Sequence, residues 1–361
     1  MSAITLKFGG STLNGPESIK RVSRLIALKS KQARSFVVVS ALKGSTEALI
    51  AISRSTATEA LAQFDALIER HRLTARALLD GARVLAWETD IAPYCATCRH
   101  VLAADTRRDG DIATLLAVGE KLSAALLHQV LQLDLQDSRW LCSEHLIITK
   151  GRRLQATVDL HASRSALQAL LENPEPNRIT IITGFCGGDG KGRTTLLGRN
   201  ASDYSAALVA RYTGSSALEI IGDTDGILSA DPDYVPGANR IARLSWNDAL
   251  LLARAGSGVL HPRTVEPLLC TDISLRLDGL PQSGGTVIGA TCQQRQQSLI
   301  ATWRPPQQAA LSKTPALPNP LSRWQKQYPE HGVVSVFLAD HLDALVCHRN
   351  LSALIAESGI H

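Results

Sequence analysis

No apolar run in this 361-residue chain reaches the roughly 18 residues that a membrane-crossing helix needs. The start, MSAITLKFGG, lacks the basic cluster and apolar stretch of a signal peptide. Both absences lead to the expectation of a cytoplasmic protein with no membrane partner. Charge of one sign is scarce too: 38 Lys and Arg stand against 33 Asp and Glu, for a net +5. Short basic pairs such as Arg107-Arg108 and Arg152-Arg153 read as solvated faces, so no nucleic-acid partner is expected. The seven cysteines are scattered and odd in number. Cys95 and Cys98 form one CxxC with His100 nearby but lack a second pair of ligands, so no metal site is expected. Internal repeats and extended low-complexity segments are missing. What is present is ordinary for a globular chain: 45% hydrophobic and 20% charged residues. At about 150 residues per domain, the length suggests two domains.

The N-terminus reads as strand, glycine turn, helix. Ile4-Thr5-Leu6 is a short apolar strand, Gly9-Gly10-Ser11-Thr12 breaks it, and Pro16-Glu17 opens a helix with proline and acid in its first turn. Phe36-Val37-Val38-Val39 and Arg178 to Thr183 are apolar, β-branched runs of the kind buried on both faces of a parallel sheet. Residues 47–137 are helical by pattern. Gly184 to Arg199 is glycine-rich and polar. Ser202 to Arg211 reads as a helix, Ala217 to Ile221 as a strand and Trp246 to Ala255 as a helix. Alternating strands and helices predict an α/β domain with a mainly parallel sheet. Near residue 290 the composition turns Gln- and then Pro-rich, as in a linker. Beyond it the pattern reads β-α-β-β-α: strand Gln308–Leu311, helix Leu321–Gln327, strands Val333–Leu338 and Leu342–Cys347, and helix Leu351–Ser358.

Three polar, glycine-bearing loops follow buried strands, after Leu6, Val39 and Thr183. Such loops line the ligand crevice of a parallel α/β sheet, where helix N-termini offer unpaired N–H groups to anions. Lys7 adds a cation beside Gly9-Gly10, which suits a polyphosphate, although the spacing is not that of a Walker A loop. By itself this stretch reads equally well as a turn with a solvated lysine.

Further motifs follow in order: Val38-Val39-Ser40-Ala41, Gly119-Glu120, Gly184-Phe185, then Leu197-Gly198-Arg199-Asn200-Ala201-Ser202-Asp203-Tyr204, Asp223-Thr224-Asp225-Gly226, and Val259-Leu260-His261-Pro262. Gly284 to Gly289 closes the series. The succession resembles the aspartate kinases of the amino-acid kinase family, and is nearest in motif to the kinase half of the bifunctional aspartate kinase–homoserine dehydrogenases. The resemblance implies a three-layer α/β/α amino-acid kinase fold with a mainly parallel sheet over residues 1–292. Residues 298–361 would form a single, truncated or degenerate ACT-like α+β unit. It further implies transfer of the γ-phosphoryl group of ATP to L-aspartate or a close analogue, with Mg2+ held mainly through the nucleotide phosphates, in a homodimer.

Roles follow from the same resemblance. Lys7 and Asp203 would be the catalytic pair, and Gly9, Gly10, Ser11 and Asp223 would meet the nucleotide. Arg199 would grip a substrate carboxylate, Glu120 the ammonium, and Ser40, Thr46, Ser202 and Phe185 would complete the substrate pocket. Structural alternatives stay open: a helix-start charge for Asp203, a salt bridge for Arg199 and Glu120, and helix caps for the hydroxyls.

The nucleotide side departs from the family pattern. Gly222, Leu228, Asp233 and Gly258 stand where the family carries threonine, tyrosine, arginine and lysine. Losing a lysine and exchanging an arginine for aspartate weakens attraction for a polyanion. With only one ACT-like unit, ordinary lysine or threonine feedback is not expected. The departures keep two other readings open: a binding or regulatory subunit that retains an aspartate site, and a kinase for a related amino acid.

Overall fold

The computed structural model describes residues 2–104, 106–134, 137–172, 178–198, 200–229, 238–255, 258–289, 299–303, 325–328 and 333–338. The chain divides into two compact units, Met1–Asp223 and Thr224–His361.

The first unit is built on five parallel strands. Strand β1 (Ala3–Phe8) is followed by helix α1 (Pro16–Ser30) and β2 (Arg34–Val39). Five helices come next: α2 (Ser45–Ile52), α3 (Ala57–Leu78), α4 (Gly81–Leu102), α5 (Asp109–Leu116) and α6 (Val118–Leu133). Then follow β3 (Ser138–Leu141), β4 (Ile148–Lys150), β5 (Thr157–Val158), α7 (Leu160–Glu172) and β6 (Ile179–Thr183). The unit closes with β7 (Cys186–Asp189), β8 (Thr194–Leu196), α8 (Ala201–Tyr212) and β9 (Ser215–Ile221).

Strand β1 pairs in parallel with β2 on one side and β9 on the other; β2 pairs with β6, and β6 with β3, in the same sense. All of β6 and all of β2 after Arg34 are buried, as their β-branched composition demands. Helices α1 and α6 pack on each other and on β2, while α8, beside α7, lies against β1, β2 and β9. Helix α6 is buried from Val118 to Leu127, because α3 and α4 pack outside it. Trp87 of α4 is fully buried there, and its indole N–H donates to the Leu122 carbonyl at 3.3 Å. The glycine-rich stretch after β6 holds an antiparallel β7–β8 hairpin, which extends through β4 to β5 as a small second sheet.

The second unit contains β10 (Ile227–Leu228) paired with β11 (Arg240–Ile241), then β12 (Arg243–Leu244), α9 (Trp246–Ala255) and the short α10 (Pro262–Val265). Strands β13 (Ser274–Asp278) and β14 (Thr286–Ile288) are antiparallel, with β12 parallel to β14. The Thr286 hydroxyl accepts from the Ile227 N–H at 2.8 Å and donates to the Ile241 carbonyl at 2.6 Å, tying the pieces together. Strands β15 (Leu299–Trp303), β16 (Gln325–Tyr328) and β17 (Val333–Leu338) form an antiparallel sheet with β17 in the middle.

The helix expected at Leu321–Gln327 is corrected here. Gln325 to Gln327 belong to β16 and pair with Val334 to Val336, so ladder formation with a β-branched neighbour overrides a weak local helix preference. The strand at Val333–Leu338 is found as expected. Residues 321–324 and the elements expected at Gln308–Leu311, Leu342–Cys347 and Leu351–Ser358 lie outside the described residues.

Candidate active site

The C-terminal ends of β1, β2, β6 and β9 share one edge of the parallel sheet, and the loops leaving them hold most of the residues singled out by sequence. After Phe8 the chain folds into a tight turn: the Thr12 and Leu13 N–H groups and the Thr12 hydroxyl all donate to the Gly9 carbonyl. Gly10 brings this turn against the loop after β2, since a Cβ there would stand 3.1 Å from the Ala41 carbonyl oxygen. Lys7 Nζ is 2.6 Å from Asp203 Oδ1, at the start of α8. A Cβ on Gly9 would lie 3.4 Å from Lys7 Nζ and 3.7 Å from Ser11 Oγ, so the ammonium sits directly beside the glycine turn. Gly222 and Asp223 follow β9 at the same edge; the Gly9 N–H reaches the Ile221 carbonyl at 3.4 Å, and Asp223 is exposed.

Glu120 enters from α6. Its neighbour Gly119 makes the approach possible, because a Cβ there would be 2.8 Å from Ala41 Cβ and 3.3 Å from Leu49 Cδ1. Glu120 is buried, and its Oε1 accepts the Ala41 N–H at 3.1 Å. Its Oε2 is buried with no hydrogen-bond partner among the described residues. Burial pushes its carboxyl up to about 8, against the opposing pull of the Ala41 N–H. A buried carboxyl with one oxygen unsatisfied is suited to ionise on receiving a cation such as an ammonium.

The turn after β6 joins the same cluster. The Gly184 N–H donates to the Val39 carbonyl at 2.9 Å, and a Cβ on Gly184 would stand 2.7 Å from Ser202 Oγ. Gly184 therefore lets the first turn of α8 close on the end of β2. Phe185 is held at φ 70, an uncommon conformation for a residue with a side chain. Its carbonyl accepts the Leu197 N–H at 3.1 Å. Ser40 follows β2 directly, with its N–H on the Phe8 carbonyl at 3.1 Å. Thr46 lies half-buried on the first turn of α2, beside the Ser45 that faces Gly119. Arg199 and Asp233 lie outside the described residues. Leu228, on β10, and the exposed Gly258 belong to the second unit.

A buried polar network behind these residues has no counterpart in the sequence reading. Lys121, next to Glu120, pairs with Glu144 at 2.6 Å, and both side chains are over nine-tenths buried. Burial pulls the Lys121 ammonium down, and the Glu144 carboxylate more than offsets this and holds it charged. Glu144 also accepts from the Thr194 hydroxyl at 3.1 Å. The adjacent Ser143 donates bonds on both flanks of the Gly184-Phe185 turn. Its N–H donates to Thr183 Oγ1 at 2.8 Å, and its hydroxyl donates to the Cys186 carbonyl at 2.9 Å. Cys95 and Cys98, the CxxC pair, are buried on α4, and burial pushes their thiols up to about 11 and about 12.

The Amino acid kinase family model matches residues 3–277. The chain is 32% identical over 292 residues to an aspartokinase of Chlamydia pneumoniae, covering 80% of this chain and 63% of that protein. It is 30% identical over 295 residues to a bifunctional aspartokinase/homoserine dehydrogenase of Haemophilus influenzae, covering 78% and 36%. The chain thus spans less than two thirds of these curated relatives. Among solved structures, E. coli aspartokinase III in complex with aspartate and ADP superposes with a TM-score of 0.74 at 24% identity, covering 95% of this chain and 80% of that one. That likeness establishes a shared fold. On the family match and the parallel α/β architecture together, the chain belongs to the amino acid kinase family, a family of phosphotransferases.

Proposed function

We propose that the chain transfers the γ-phosphoryl group of ATP to the β-carboxylate of L-aspartate, giving ADP and 4-phospho-L-aspartate. The observation that carries this reading is the Lys7–Asp203 pair set beside the Gly9-Gly10 turn at the strand ends. Phosphoryl transfer rests on positioning and charge neutralisation, and this site offers both. Lys7 would stabilise charge on the transferring group, with Asp203 fixing its ammonium. Gly9, Gly10 and Ser11 would approach the phosphates, with Asp223 at the neighbouring strand end. Mg2+, when bound through the nucleotide phosphates, supplies further neutralisation. On the substrate side, the free Oε2 of Glu120 would take the aspartate ammonium and Arg199 a carboxylate. Ser40, Thr46, Ser202 and Phe185 would shape the wall.

The same reading assigns residues 1–292 to the kinase body and 298–361 to one ACT-like unit. A hydroxamate assay for the acyl phosphate tests the reaction. Lys7→Met and Asp203→Asn should each lower kcat about a hundredfold or more, the scale of losing a transition-state charge contact. Turnover unchanged in both variants would remove the assignment.

A second reading, aspartate binding without turnover, is favoured by one observation. Gly258 is exposed, with nothing within 4 Å of an added Cβ, so the position where the family carries a lysine offers no cation. Separate calorimetric titrations with MgATP and with aspartate distinguish the two: aspartate binding alone selects the second.

A further inference from the structure

A cavity of about 650 Å3 lies among α4, α5, α6 and the β7–β8 turn, and neither Lys7, Asp203 nor Glu120 lines it. Four cations do. Lys121 is buried, Arg153 is half-buried, and Arg108 and Arg193 are exposed. Thr194, which reaches Glu144, is part of the same wall. The Arg153 guanidinium lies over the first turn of α5, since a Cβ on Gly110 would stand 3.4 Å from its Nη1. The positive end of the α5 dipole therefore adds to the guanidinium at one point.

The acids nearby are largely committed. Glu144 holds Lys121. Asp189 holds Arg193 at 2.7 Å and stands 3.7 Å from Arg153. The Asp111 carboxylate accepts the Arg108 backbone N–H at 2.9 Å, capping α5. Asp109 is the remaining acid of the lining, exposed on the first turn of α5. An ammonium offers three donors and each guanidinium five, more than these carboxylates engage. The volume falls within the range of small-molecule sites and exceeds the needs of a lone inorganic ion.

We propose that this cavity is a second ligand site, taking a small organic polyanion through its carboxylate or phosphate groups. Arg153 and the α5 terminus grip one anionic group, and Arg108 and Arg193 close over another, beside the buried and mutually neutralised Lys121–Glu144 pair.

The test is calorimetry with two probes, citrate for polycarboxylates and pyrophosphate for phosphates, on the full chain. At least one binds the wild type, and the one that binds identifies the chemistry. Arg153→Gln and Arg193→Gln each weaken that binding about tenfold, the scale of one lost charge-assisted contact. Lys7→Met leaves it unchanged, which separates this cavity from the nucleotide side. Arg108→Gln, at an exposed position, serves as a further variant should Arg153→Gln fold poorly. No binding of either probe would overturn the proposal. So would equal affinity in the arginine variants, or loss of binding in Lys7→Met.

Discussion

Replacing Glu120 by glutamine tests the substrate side most sharply. The wild-type carboxyl is buried, bonded at Oε1 to the Ala41 N–H, open at Oε2, and raised to about 8. At pH 7 it is therefore mostly protonated before ligand arrives. An ammonium favours the ionised form, so aspartate binding releases a proton below pH 8. A charge-assisted contact is worth about 1.5–3 kcal/mol, or roughly 10- to 150-fold in affinity. Linkage then makes aspartate affinity rise about five- to thirty-fold from pH 6 to pH 8. In Glu120→Gln the affinity stays flat over that range and converges on the wild type at pH 6. Calorimetry in buffers of different ionisation enthalpy counts the proton directly. Stability carries the opposite sign. Below pH 4.5 the group is protonated in folded and unfolded chains alike. Between 4.5 and about 8 the unfolded chain ionises first, so stability is lost across that window. The glutamine variant, free of this penalty, melts higher than wild type at pH 8. A wild-type aspartate affinity independent of pH, or a glutamine variant with the same profile, would refute the reasoning.

Gly119→Ala places a methyl 2.8 Å from Ala41 Cβ. It should cost about 1–3 kcal/mol by overpacking and raise the KM for aspartate more than that for ATP, as urea unfolding and steady-state kinetics will show. Glu144→Gln leaves the buried Lys121 ammonium without its counter-charge. A loss of about 3–5 kcal/mol in denaturant unfolding is expected, with recovery in Lys121→Met/Glu144→Leu, where both charges go. Lysine and threonine at millimolar concentration should leave any acyl-phosphate formation unchanged; inhibition by either would contradict the assignment of residues 298–361 to a single ACT-like unit.

Much of the first unit was legible in the sequence. The β-branched runs at Phe36–Val39 and Ile179–Thr183 admit little but a doubly covered strand, and in the second unit Trp246–Ala255 is helical from end to end, as read. The residues with motif signatures were also found together: Lys7 with Asp203, Gly184 with Ser202, and Glu120 with the loop after Ser40. Three features escaped because their causes are not local. The β7–β8 hairpin hides in a stretch whose glycines carry no period, and its β7 strand also leans on the distant β4. The strand at Gln325–Tyr328 depends on its partner β17. The Lys121–Glu144 pair links residues on separate elements that no spacing rule connects.

The 2.6 Å contact between Lys7 and Asp203 has a consequence for selectivity. A lysine whose charge is already balanced is a weak trap for stray sulfate or chloride. Only a visitor bringing its own counter-charge, or several negative groups at once, has reason to displace or share the aspartate. The pair thereby sorts approaching anions by valence.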